Sequence, residues 1–547
     1  MDDIIAGLRR LALLARDISI DNVLLSVLVV TVSLMILAGI YLDVMAIPAV
    51  ISCHEETITV QHQLASSSGT TDTKDEKSTP SCMTLRDFLT QFVPSLSGYY
   101  PTPYLFNGHL QTIYAALVAQ PRVQGRADLI KYEREIIEMP DGGVVALDWY
   151  PSNDKHTVAP STPILVLTHG LTGGSHESYV EDVVHKMAHA PYHYRTVVMN
   201  FRGCANSDVL TPQLYCAAYT ADLKYVVEMI QMRYPNAPLA ACGFSLGANV
   251  LTKYVGELGE ECPLITYVSV GNPLNLVIGS ERLESGWFSK RVYSYRMACS
   301  LIKVFSKHAY LFENHPNVDL DAVMKSSSVR EFDASLTAKV FGYADVDEYY
   351  KLGSSSLYVP SIRIPAMFLH SLDDPIVPKE SIPTEEILNN PYCVLVTTKY
   401  GGHLGWFEGM FRTNRWVTKP IVQYLTAMIL AHGSLPLSAR RKIPSPSPFT
   451  KEGQRLPPAA EPLDDNRSKD NNTINNVVKL TGTANVETWI NTSRHGNAVA
   501  VSEYSGRKSQ AVLHKPPSVL TTLLKQFGVL GVIFTVFAWA RRRSSWL

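Results

Sequence analysis

The chain has 547 residues, 46% of them apolar and 18% charged, with a formal net charge of -1 at pH 7. It is too long for one ordinary domain and apolar enough for a large core with something membrane-associated added. So balanced a charge gives no nucleic-acid footprint, and eight cysteines without short paired spacing indicate neither a zinc site nor a small disulfide scaffold. Only Cys53 and Cys82, outside the expected core, are free to pair.

Residues 1–22 carry Arg9, Arg10 and Arg16. Twenty uncharged residues follow from Val23 to Leu42; as a helix rising about 1.5 Å per residue they span roughly 30 Å, one bilayer core. The run is longer than the apolar region of a cleaved signal peptide, and no clear small-x-small site follows it. A transmembrane anchor is therefore expected over 23–42. No Lys or Arg follows until Lys74, so the N-terminus is expected in the cytoplasm and the rest on the lumenal or outer side, as in a protein of the endoplasmic reticulum. Residues 43–94 read as a linker.

Between about 130 and 430, short apolar runs alternate with helix-length amphipathic stretches, the pattern of a mostly parallel sheet with helices on both faces. "YEREIIEM" and "VVALDWY" flank the turn "PDGG" and predict a hairpin. The runs "PILVLTHG", "RTVVMNF", "LAACGF", "LITYVSVG", "AMFLHS" and "CVLVTT" predict buried parallel strands. Helices are expected at "YTADLKYVVEMIQMRY" and "KPIVQYLTAMILAH". Residues 272–365 break the alternation. An insertion of that length at the carboxyl edge of a parallel sheet lies where such folds bind ligands, so a cap or lid is expected there.

Beyond the catalytic region, residues 433–518 are rich in Pro, Ser, Asn and charge and read as a disordered linker. They hold three Asn-x-Ser/Thr triplets, at Asn466, Asn471 and Asn491, which fits lumenal exposure. Residues 519–540 are a second span or an interfacial helix, and the basic end 541–547 is expected in the cytoplasm or among anionic head groups.

"GFSLG", Gly243 to Gly247, stands between a predicted strand and helix, as in a nucleophile elbow. A serine hydroxyl there is a poor nucleophile until a base takes its proton and a third group orients that base. Downstream, "MFLHSLDDPIVP" ends a strand in Asp373 and Asp374, and "CVLVTTKYGGHLGWFEG" places His403 in a Gly-rich loop after the last strand. The order Ser245, Asp, His403 is that of α/β-hydrolases. "LTHGLTGG" supplies an oxyanion element: the backbone N–H of Leu171, with that of Leu246 after the nucleophile, would hold a tetrahedral oxyanion. His109 and His169 read as structural hydrogen-bonders, and Trp406 and Phe407, beside His403, as packing or else as the lining of an acyl pocket. No phosphate-loop Lys-Ser/Thr follows "LTGG", so nucleotide binding is not expected.

Together, "PYLFNGHLQTIY", "THGLTGGSHESYV", "NFRGCANSD", "GFSLGAN", "DASLTAKVFGYADVDEYYKLGSSS", "LDDPIVP" and "GGHLGWFEG" resemble the AB hydrolase-4 family of α/β-hydrolases. That family includes bacterial YheT-like hydrolases, yeast medium-chain ethyl ester synthase/esterases, and mammalian membrane-anchored phospholipases and acylglycerol lipases. The resemblance covers 95–432. It implies an α/β-hydrolase fold with a helical cap, and a membrane-anchored Ser-Asp-His esterase for medium-chain or glycerolipid esters. "DPIVP" matches the hydrolase turn of the acid, which selects Asp374; the implied triad is Ser245, Asp374 and His403, with no metal or organic cofactor. The alternatives are an ester synthase passing an acyl group from acyl-CoA to an alcohol through the same residues, and a catalytically silent ligand-binding fold. Residues 433–547 lie outside the family pattern.

Overall fold

The computed structural model describes residues 27, 29–33, 48–62, 81–117, 130–151, 158–410, 412–434 and 511–512. Among the described residues fourteen strands run in chain order: β1 (Val50–Cys53), β2 (Thr59–His62), β3 (Ser81–Thr84), β4 (Glu133–Glu138), β5 (Val144–Tyr150), β6 (Ile164–Thr168), β7 (Arg195–Asn200), β8 (Leu239–Phe244), β9 (Thr266–Val270), β10 (Ala366–Ser371), β11 (Cys393–Thr398), β12 (Phe407–Glu408), β13 (Asn414–Arg415) and β14 (Ala511–Val512). Helices of eight residues or more are α1 (Leu85–Phe92), α2 (Gly108–Leu117), α3 (Ser178–Ala188), α4 (Ala221–Arg233), α5 (Leu246–Leu258), α6 (Leu276–Glu284), α7 (Tyr295–Ser306), α8 (Val346–Gly353) and α9 (Thr418–Ser434).

The six apolar runs form the parallel centre of one sheet, ordered β14-β1-β11-β10-β9-β8-β6-β7-β5-β4. From β7 through β6, β8, β9 and β10 to β11, each strand is parallel to the next. They lack polar alternation because both faces are covered. Val166, Val197, Met199 and Ala241 pack in one core cluster with Leu223, Val226 and Ile230 of α4 and Val250 and Leu251 of α5. The intervening residues Leu165, Leu167, Val198 and Cys242 are equally buried and point to the other face. There α3 meets β7, and α9 meets β8, β9 and α3.

The "PDGG" hairpin is present, with β4 and β5 antiparallel from Glu133↔Trp149 to Glu138↔Val144. Its turn is tied to the loop after β7, because Asp141 accepts from Arg202, which is 1% exposed and also pairs with Asp222.

Residues 43–94, expected as a linker, hold more structure than that. β1 is antiparallel to β11 at the sheet edge, β2 and β3 form a hairpin, and Thr84 caps α1 by accepting from the Asp87 amide. Each strand has four residues, too few to show a period beside a polar stretch. Cys53 is a free thiol buried in β1, so the pairing with Cys82 considered above does not form. Ala511 and Val512, inside the expected disordered linker, pair with β1.

The expected anchor at 23–42 lies outside the described residues except for 27 and 29–33, which are helical. The expected span at 519–540 lies wholly outside them. Among the described residues no helix is long and apolar enough to cross a membrane.

Between β9 and β10 the chain makes α6, α7, α8 and several shorter helices. This insertion is fastened to the helix behind Ser245. Asn249 of α5 donates to the carbonyls of Ala217 and Gly353, at 3.0 and 2.8 Å, and accepts from the Ser355 amide at 3.1 Å. Gly256 permits the contact: a Cβ there would lie 2.4 Å from the Tyr358 carbonyl oxygen.

Candidate active site

Ser245 occupies the turn between β8 and α5 with φ 51° and ψ -123°. A non-glycine residue in that region costs about 1–3 kcal/mol, which the surroundings must hold in place. They do so through the Ser245 amide, which donates to the Val270 carbonyl at 2.9 Å. Crowding fixes the neighbours: a Cβ on Gly243 would lie 2.6 Å from the Ala248 Cα, and one on Gly247 would lie 2.4 Å from the His169 oxygen. The side chain is thereby presented at the carboxyl edge of the sheet, with the amino-terminus of α5 beneath it.

The structure brings Ser245, His403 and Asp374 together. His403 Nε2 lies 2.9 Å from Ser245 Oγ, and His403 Nδ1 lies 2.8 Å from Asp374 Oδ2. The Asp374 side chain is 2% exposed and that of His403 11%. Asp374 Oδ1 accepts from the amides of Ile376 and Val377, at 2.8 and 2.9 Å. Those amides belong to the "DPIVP" turn, so the turn aims the second carboxylate oxygen at the imidazole. Serine, base and orienter thus form one hydrogen-bonded line.

Asp373 serves a different purpose. It accepts from the Ser371 hydroxyl and the Gly402 amide, and its burial raises its pKa above the ordinary carboxylate value. It joins the loop after β10 to the loop that carries His403.

That second loop is held by the start of α2, which the sequence reading left without a role. The His403 amide donates to Thr112 Oγ1 at 2.8 Å, and the Thr112 hydroxyl donates to the Gly108 carbonyl at 2.7 Å. Gln111 accepts from the Phe407 amide at 3.0 Å. Any larger residue would part these loops, since a Cβ on Gly108 would lie 1.9 Å from the Asp373 oxygen and one on Gly402 would lie 2.3 Å from the Gly108 oxygen. Buried Arg415 adds a hydrogen bond to the Leu404 carbonyl. "NGHLQT" was visible as a motif, but no property of Thr or Gln in sequence reveals which distant loop it braces.

The two residues expected to supply the oxyanion donors, Leu171 and Leu246, line one cavity, the one that contains Ser245. The amides flanking Leu171 are occupied, Gly170 donating to Tyr179 Oη at 3.1 Å and Thr172 to Tyr215 Oη at 2.8 Å. Among the described residues no hydrogen bond occupies the amide of Leu171 or of Leu246. Leu246 is the first residue of α5, where an N–H has no partner within the helix.

His169 and His109 are hydrogen-bonded outside the serine line. Wholly buried His169 accepts from the Phe201 amide at Nε2 and therefore carries its proton on Nδ1, which donates to the Gly170 carbonyl. Burial lowers its pKa to about 4. His109 Nδ1 lies 2.8 Å from Tyr293 Oη. Trp406 and Phe407 are buried, at 0% and 2% exposure, and do not line the cavity. Trp406 donates to Thr398 and packs.

From Ser245 the cavity runs beneath the insertion, between apolar walls that include Leu214, Leu276, Leu301, Phe332 and Leu336. Asp333 also lines it, buried and accepting from Thr337 at 2.7 Å and Tyr350 at 2.8 Å. Burial raises its pKa to about 6. Among the described residues no group of His, Cys, Asp and Glu could hold a metal ion.

A parallel sheet with a serine turn after its third parallel strand, an aspartate after a later one and a histidine after the last defines an α/β-hydrolase. Residues 163–404 match the alpha/beta hydrolase fold family. Human phospholipase ABHD3 is 37% identical over 342 residues, 61% of this chain and 80% of its own. The monoacylglycerol lipase of Saccharomyces cerevisiae is 33% identical over 384 residues, 63% of this chain and 84% of its own. Medium-chain fatty acid ethyl ester synthase/esterase 2 of the same yeast is 29% identical over 412 residues, 62% and 88% of the two chains. The chain belongs to the AB hydrolase-4 family of α/β-hydrolases and is a carboxylic ester hydrolase.

Proposed function

We propose that the protein hydrolyses carboxylic esters of lipids, medium-chain or glycerolipid, through Ser245, His403 and Asp374. His403 Nε2 takes the Ser245 proton as Oγ attacks the ester carbonyl, and the amides of Leu171 and Leu246 receive the oxyanion. Collapse of the tetrahedral intermediate breaks the acyl–oxygen bond, and His403 gives its proton to the leaving alcohol. Water, deprotonated by His403, then releases the acid and restores Ser245. Asp374 holds the imidazole tautomer and balances its transient charge. The observation that carries this reading is the continuous Ser245–His403–Asp374 line at 2.9 and 2.8 Å. The apolar cavity behind Ser245 and the phospholipase and monoacylglycerol lipase relatives support a lipid ester.

The membrane setting belongs to the same proposal: an anchor at 23–42, with the catalytic region lumenal. Its support is the length of the uncharged run and the arginines before it. Protease access to the catalytic region in sealed microsomes would refute the lumenal side.

The relative named as an ethyl ester synthase/esterase favours a second reading, in which an alcohol replaces water at the acyl-enzyme. Acyl-CoA supplied with an alcohol separates the two, since ester formation supports transfer and free acid alone supports hydrolysis. The common step is tested with a fluorophosphonate probe. Wild type is expected to be labelled and Ser245→Ala unlabelled; Ser245-independent or absent labelling would sink the enzyme mechanism.

A further inference from the structure

The insertion carries exposed aromatic side chains that the catalytic reading does not use. Trp287 is 78% exposed, Tyr310 62%, Phe288 42% and Tyr295 37%. Between Gly286 and Lys307 stand five basic residues, Lys290, Arg291, Arg296, Lys303 and Lys307, and no Asp or Glu. All five are exposed. Their local partners leave most of that charge standing: Lys290 pairs with Glu284 at 3.0 Å, Arg291 lies over the Tyr295 ring, and Lys307 bonds the neutral Asn206.

The segment begins beside the loops that carry the reacting groups. The Phe288 ring meets the His109 ring edge-on at 5.3 Å, and His109 is hydrogen-bonded to Tyr293. The preceding residue, Gly108, packs on Asp373 and Gly402. Two more exposed apolar residues lie close in sequence to these contacts, Phe106 at 55%, three residues before His109, and Leu372 at 43%, directly before Asp373.

A tryptophan so exposed gains nothing from water, and aromatic rings among Lys and Arg without acids are the composition of surfaces that lie at a bilayer interface. We propose that residues 286–307 dock on an anionic phospholipid bilayer, with Trp287 and Phe288 among the head groups and upper acyl chains and the five cations against lipid phosphates. Docking sets the Ser245 cavity next to the membrane, which rests on the reading that the substrate is a lipid ester. Each cation near an anionic surface contributes about fivefold to partitioning.

The test uses the full chain carrying Ser245→Ala, mixed with phosphatidylcholine vesicles with and without phosphatidylserine, some of the lipid brominated in its acyl chains. The Trp287 signal is the difference between this protein and the same protein with Trp287→Phe. It is expected to be quenched, more strongly with phosphatidylserine, and to lose that dependence in Arg291→Glu/Arg296→Glu. A Trp287 signal that bromolipid leaves unquenched overturns the proposal, and shielding of that signal from aqueous iodide would then identify a second copy of the chain as the occupant. In a parallel assay with Ser245 intact, Trp287→Ala is expected to leave hydrolysis of a water-soluble short-chain ester unchanged and to slow hydrolysis of a vesicle-borne ester about fivefold or more. Equal loss in both overturns docking in favour of a role inside the catalytic domain. Failure of the intact protein to hydrolyse either ester overturns the hydrolase reading instead, and the quenching measurement still decides docking.

Discussion

At the residue scale, two adjacent aspartates with the same chemistry have separate tasks because their hydrogen bonds differ. Asp374 receives two turn amides and the imidazole, whereas Asp373 receives Ser371 and Gly402. Asp374→Asn, which upsets the His403 tautomer, is expected to lower kcat by about 10⁴-fold with the fold intact. Asp373→Asn should lower thermal stability and reduce kcat by less than about tenfold, as a bracing group would. Equal losses in steady-state kinetics on a soluble ester would contradict the division. Thr112 acts on His403 through its backbone amide alone. Thr112→Val should lower kcat about 10- to 100-fold at unchanged KM, and Thr112→Ser should restore it, since Ser keeps the hydroxyl. The order Ser–Asp–His and the elbow glycines were legible from residue types; the roles of Thr112, Gln111 and Arg415 were not, because each acts on a loop hundreds of residues away or depends on a backbone group.

Buried titrations also belong to this scale. His169 and His370 are fully buried, and burial lowers each pKa to about 4 from 6.5. Below about pH 6.5 the unfolded chain binds these protons and the folded chain does not, so each histidine withdraws stability as pH falls toward 4, on the order of 3 kcal/mol in full. Asp333 has the opposite sign. Its pKa, raised by burial to about 6 from 3.8, makes the folded state the tighter proton binder between those values, so it returns a similar amount as pH falls. These three groups taken together leave a net loss. Denaturant unfolding at pH 7 and pH 4.5 should show lower stability at pH 4.5, with a smaller drop in His370→Leu. An unchanged slope in that variant would show that His370 does not titrate in this way.

At the element scale, the insertion depends on its attachment to α5. Asn249 satisfies the Gly353 carbonyl and the Ser355 amide across that join, and the Ala217 carbonyl beside it. Asn249→Ala leaves those buried groups unpaired, at about 1–3 kcal/mol apiece where water cannot enter. Urea titration should show the loss, and limited proteolysis should cut first within 272–365; cleavage elsewhere with unchanged stability would contradict the clamp. The insertion itself was visible as a break between two strands too long for a connection. Its fastening was not, because "GAN" reads in sequence as the ordinary start of a helix. β1 escaped notice for another reason: four residues at a sheet edge carry no period, and their pairing with β11 spans more than three hundred positions.

At the scale of the whole molecule, the six parallel strands were legible because burial on both faces makes their sequences continuously apolar, and the "PDGG" turn between two strand-like runs marked the hairpin. The apolar segment at 519–540, and that at 23–42 except for residues 27 and 29–33, fall outside the described residues, so sequence remains their support. Fold, cavity and exposed aromatic side chains then describe one arrangement: a serine at the carboxyl edge of a sheet, an apolar channel beneath an insertion, and a basic aromatic segment beside them. The central claim is that Ser245 becomes acylated and returns through water. Rapid mixing of the purified full chain with a chromogenic carboxylic ester, followed by intact-protein mass spectrometry, tests it most directly. A burst of alcohol with an acyl adduct on the peptide containing Ser245, absent from Ser245→Ala, is the expected result. Alcohol release at the same rate from Ser245→Ala, with no adduct on either protein, would contradict it.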